Sequence, residues 1–79
     1  MLYTQDLMEE LNILVRYNLE TTLEGLKVHQ SQASPTTVAA TQRLFAKGLV
    51  SQEDGGYLTT MGREAAEQAQ TVLHLLNPS

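Results

Sequence analysis

The run from Arg43 to Gly62, RLFAKGLVSQEDGGYLTTMG, constrains this chain most, because a helix end, a tight reversal and a second helix start follow one another directly. Lys47 suits the negative end of a helix dipole and Gly48 takes the left-handed C-cap conformation at little cost, so a helix ends there. Leu49 to Ser51 and Tyr57 to Thr59 flank Asp54-Gly55-Gly56, a turn cluster whose glycines tolerate positive φ. This predicts a β-hairpin over about 49–59, with Leu58 rather than Tyr57 facing the core. Thr59 or Thr60 then caps a helix over about 60–76 that stops before Asn77-Pro78.

Two further helices precede this run. Ser34 as N-cap and Pro35 in the first helical position predict a helix over about 35–47. Its inward face is expected to carry Val38, Thr41, Leu44 and Phe45, and its outward face Thr36, Ala39, Ala40, Arg43 and Lys47. Helix 1 is expected over about 4–17, with Asp6, Glu9 and Glu10 in or near its first turn, where the dipole favours negative charge. Leu7, Leu11 and Leu14 recur at helical spacing, and Met8 and Val15 widen the stripe toward a core. Residues 19–32 read as a helical turn from Glu20 to Glu24, stopped by Gly25, then an extended segment at Leu26-Lys27-Val28 that could lie beside the hairpin. The expected fold is mainly α with a small β-hairpin, one winged-helix-like domain over 1–79.

The segment SPTTVAATQRLFAKGLV followed by DGGYLTTMGREAAE resembles the recognition-helix and wing half of bacterial winged helix-turn-helix regulators. More widely, the GLKVH segment, the RLFAKGLV helix exit and the DGGYLT turn are similar to a family of small gammaproteobacterial proteins of unknown function, named as DNA-binding proteins. That resemblance covers most of the chain. It implies the winged-helix architecture and a DNA-binding protein or transcriptional regulator, the latter by analogy of fold alone. On that reading the helix from Ser34 enters a major groove, and Thr36, Thr37, Gln42, Arg43 and Lys47 are the candidate DNA-binding residues, with alanines allowing close approach.

Charge argues the other way. Nine carboxylates against five Lys and Arg leave a net charge of −4, which opposes long-range attraction to phosphate. Gln52, Glu53 and Asp54 make the hairpin tip acidic where a DNA-reading wing would be basic. The alternative is a protein-interaction or dimerisation module that keeps the scaffold without binding DNA. Val72, Leu73, Leu75 and Leu76 cover more than one face of the last helix, and a homodimer through helix 1 and this helix would bury them.

Other chemistry is sparse. There is no cysteine, and His29 and His74 lack partners at metal-ligand spacing, so neither metal nor cofactor is expected. Ser34, His29 and Asp54 supply the residue types of a hydrolase triad without a nucleophile elbow, and Gly55-Gly56 lacks the lysine of a phosphate loop. The chain reads as non-enzymatic. Without a signal segment or an apolar stretch of about 20 residues, a cytoplasmic location away from membranes is expected.

Overall fold

Thr4, Ser34 and Thr59 each stand in extended backbone, and each side-chain oxygen accepts a hydrogen bond from the amide three residues on, at 3.2, 3.3 and 3.0 Å. Each satisfies a donor that the first helical turn leaves without a partner, so each opens a helix. The structure is a computed structural model that describes residues 2–20, 25–27 and 33–77. Among these the elements run α1 (Gln5–Leu14), β1 (Leu26–Lys27), α2 (Pro35–Ala46), β2 (Val50–Gln52), β3 (Gly55–Leu58) and α3 (Thr60–Leu76). The protein is mainly helical with a small antiparallel hairpin. No helix among the described residues is long and apolar enough to cross a membrane.

The expected boundaries of α2 and α3 hold to within a residue. Helix α1 is shorter than its apolar pattern suggests: the backbone after Leu14 tightens, with Arg16 and Tyr17 amides bonded to the carbonyls of Ile13 and Leu14. The expected extended segment is β1, which pairs antiparallel with β3 and extends the hairpin to a sheet of order β1-β3-β2. The helical turn expected over Glu20 to Glu24 falls on residues 21–24, outside the described residues, as do Val28 and His29.

The hairpin differs in detail from its expected form. Glu53 and Asp54 make the turn, while Gly55 and Gly56 lie inside β3 at φ 116° and 70°. Val50 stands opposite Leu58 and Gln52 opposite Gly55, so β3 carries one extra residue as a bulge. Leu58 packs on the core and Tyr57 is exposed, as the alternation predicts.

The core joins Ile13, Leu14 and Tyr17 to Ala40 and Leu44 of α2, Val50 of β2 and Ala66 of α3. Its geometry corrects two expected faces. Along α1 and the turn after it the buried line is Glu10-Ile13-Leu14-Tyr17, at i, i+3, i+4 and i+7, and Leu7 and Met8 are exposed. In α2 the buried residues are Ala40, Thr41 and Leu44; Ala40, expected outward, is fully buried, and Phe45, expected inward, is 40% exposed. Phe45 follows Leu44 by one step, about 100° around the helix, so burying Leu44 turns it away. The buried Thr41 hydroxyl donates to the Thr37 carbonyl at 2.8 Å. Gln70 of α3 donates to the Tyr17 carbonyl at 2.8 Å, and Arg63 donates to that of Leu19.

Gly62 sets how closely α3 approaches the α2–β2 connection. A Cβ there would lie 1.8 Å from the Leu49 carbonyl oxygen, a backbone atom that cannot rotate aside. Gly48, at φ 78°, has open space around an added Cβ, its nearest neighbour being Met61 Cε at 3.8 Å. Gly62→Ala should therefore cost about 2–4 kcal/mol of unfolding free energy, and Gly48→Ala only about 1 kcal/mol, from its left-handed backbone. Urea unfolding followed by circular dichroism checks the ordering; equal losses would show that α3 has room to shift.

Candidate interaction surfaces

Two surfaces come from the sequence reading: the outer face of α2 and the apolar end of α3. On α2 the cap that starts the helix also holds the first candidates. The Ser34 hydroxyl is 3.0 Å from Thr36 Oγ1 and 2.9 Å from Thr37 Oγ1. Thr36 and Gln42 are exposed, and Thr37, Ala39 and Arg43 are half-buried.

The two cations of α2 point elsewhere. Arg43 and Lys47 are four residues apart, hence on one face, and that face meets Glu10 of α1. Arg43 Nε donates to Glu10 Oε2 at 2.9 Å, and Lys47 Nζ donates to Glu10 Oε1. Arg43 Nη2 also donates to the Asp6 carbonyl oxygen at 3.2 Å and lies 3.9 Å from Asp6 Oδ1. Each oxygen of the carboxylate thus has its own cation. Glu10 is only 5% exposed, and a buried carboxylate is tolerated when it is both paired and hydrogen-bonded.

Burial is the largest influence on the Glu10 carboxyl and pushes its pKa up. The hydrogen bonds and charges of Lys47 and Arg43 together outweigh it, and the carboxyl stays below its ordinary value of 4.5. The hydrogen bond to Glu10 likewise leads in raising the Arg43 pKa. Sequence reading passed over this group because a carboxylate is not an expected core residue. The available signal was Glu10 lying on one α1 line with Ile13, Leu14 and Tyr17, while α2 offers cations at i and i+4.

The hairpin tip is acidic as expected, with Glu53 exposed and Asp54 half-buried. Asp54 adds to burial in pushing the Tyr17 hydroxyl up to about 12, and that buried hydroxyl makes no hydrogen bond among the described residues.

On α3, every residue from Thr71 to Asn77 is exposed. Val72, Leu73, Leu75 and Leu76 are 53, 47, 68 and 74% exposed, so α1 does not absorb them. Among the described residues nothing covers them. Among the described residues no three His, Asp or Glu side chains gather as a metal-holding group.

The Glu10 pair has a pH signature. A carboxyl held below 4.5 in the folded state adds stability that is present above that value and lost as pH falls through the folded pKa. Glu10→Gln should therefore be less stable than the native protein by about 1–3 kcal/mol at pH 7, and the gap should close as pH falls through the folded pKa, below 4.5. Thermal melts of both proteins across that range check it; a gap that does not depend on pH would mean that the carboxylate charge contributes nothing.

No curated protein and no solved structure matches this chain. A family profile covers residues 1–77. The chain belongs to that family, the family of unknown function DUF5669.

Proposed function

We propose that this protein is a non-enzymatic, cytoplasmic protein-interaction module on a winged-helix-like scaffold, and that the uncovered side of α3 is its contact surface. The order α1, β1, α2, hairpin, α3 supports the scaffold, and β1 beside the hairpin fits it. The observation that carries the functional part is the Glu10 pair. Affinity for DNA grows with the number of phosphates neutralised by cations, and both cations of the would-be reader helix are already engaged by Glu10 of the same chain, with Asp6 3.9 Å from Arg43. A net charge of −4 and an acidic hairpin tip act in the same direction. An uncharged apolar helix end, by contrast, is a surface that a protein partner can cover.

One observation favours the second reading, a DNA-binding protein or transcriptional regulator. Thr36, Ala39 and Gln42 form a small, uncharged outer face on a well-capped helix, which is compatible with close approach to base edges. Fluorescence anisotropy with mixed genomic duplex fragments, at low and near-physiological salt, separates the two. The interaction reading expects no binding at either salt concentration. Binding that weakens steeply with salt and is reduced by Arg43→Ala would overturn it in favour of the DNA reading.

A further inference from the structure

We propose that the end of α3 takes a short basic amphipathic helix from a partner protein, its apolar stripe on Val72, Leu73, Leu75 and Leu76 and its Lys or Arg residues over Glu64 and Glu67. This names the kind of partner for the surface proposed above and rests on that reading. The line by which α3 meets its own domain runs Gly62-Ala66-Ala69-Leu73, at steps of four, three and four. Gly62 and Ala66 are buried and Ala69 is half-buried, yet Leu73 on the same line is exposed. The helix therefore runs on past what the described residues of its own domain cover. Leu73, with Val72, Leu75 and Leu76 around it, continues the apolar contact line of α3 without a partner for it.

Charge selects the occupant. Beyond Arg63 the only Asp, Glu, Lys or Arg residues are Glu64 and Glu67, both exposed. Arg63 stands four positions before Glu67, where it would ordinarily pair with it, but donates to the Leu19 carbonyl instead. No ion pair among the described residues engages Glu64 or Glu67. Elsewhere the surface leans the same way: Arg43 and Lys47 are engaged by Glu10, while Asp6, Glu9 and Glu53 are exposed. A second copy carries the same net charge of −4 and the same open carboxylates, so it is repelled, as are phosphates and anionic headgroups. A basic segment is attracted. The two carboxylates precede the centre of the apolar end by about nine residues, or about 13 Å along the axis, which sets where a helix lying along α3 must carry its cations.

Area selects the size. Burying the exposed parts of Val72, Leu73, Leu75 and Leu76 removes on the order of 400 Å², about half the roughly 800 Å² per partner of a standard interface between folded domains. One face of a single helix fits an apolar end of that size. Binding is therefore of roughly micromolar strength, and its charged part weakens as salt rises.

Two fluorescein-labelled helical peptides of about 18 residues test this, each with a stripe of leucines in one half and a charged pair about nine residues from the centre of the stripe, Lys in one peptide and Glu in the other. Titrated with the full chain and followed by anisotropy, the Lys peptide is expected to bind about tenfold or more tightly than the Glu peptide. Glu64→Gln/Glu67→Gln should abolish that preference. Leu73→Ser/Leu76→Ser, which keeps every charge, should abolish binding. All four positions are exposed, so both double variants should melt as the native protein does. Equal binding of the two peptides, or none by the Lys peptide, overturns the basic partner. Binding that survives Leu73→Ser/Leu76→Ser is charge attraction alone and overturns the site on α3. A native mass that rises with concentration in sedimentation equilibrium makes a second copy the occupant and also overturns the proposal. None of these results bears on DNA, which the duplex titration reads separately, so loss of the basic partner is distinguishable from loss of the interaction reading.

Discussion

The buried Glu10 carboxylate is the constraint around which the described structure is arranged. It occupies a core position on α1 that an apolar residue would ordinarily fill, and it stays ionised because Arg43 and Lys47 reach it from α2, one cation to each oxygen. A buried pair of this kind contributes little net stability, since removing the charges from water offsets most of their attraction, but losing one partner strands the other. The consequence is one of registry: α1 and α2 must meet where Glu10 faces the i and i+4 cations, which turns Ala40, Thr41 and Leu44 inward and Phe45 outward. The same contact supports the proposed function. Cations committed to a carboxylate in their own chain are poorly placed to neutralise phosphate.

Helix α3 has two working sides in consequence of its composition. Of its small residues, Gly62 meets the domain at a distance that no larger residue would allow, and Ala66 is fully buried in the core. Its large apolar residues come later or on the adjoining side, where none of the described residues covers them. A domain of 79 residues buries only roughly 60% of its unfolded surface and has little apolar material to spare for solvent. Val72, Leu75 and Leu76 left outside the core are therefore informative about partners.

What the sequence made legible was local. Ser34 as cap and Gly48 as helix stop depend on residues within one turn, and the structure places them as the sequence predicts; of the two cap candidates Thr59 and Thr60, it is Thr59 that caps α3. Leu58 facing inward follows from strand alternation and also holds. Faces were less legible, because the buried side of a helix is settled by what it meets. Leu7 and Met8 belong to an apolar stripe on α1, yet α2 docks against the line through Glu10. Ala40 reads as a surface alanine but is fully buried in the core. Arg43, expected on an outward face, has as its neighbour a carboxylate 33 positions earlier in the chain.

Glu10 is ionised within a closed ion pair, and carbon-13 NMR of its side-chain carboxyl across a pH titration measures that directly. A midpoint clearly below 4.5, shifting upward in Lys47→Met, is the predicted result. A midpoint at or above 4.5 that ignores Lys47→Met would contradict the pairing, and with it the claim that the cations of α2 are withheld from phosphate.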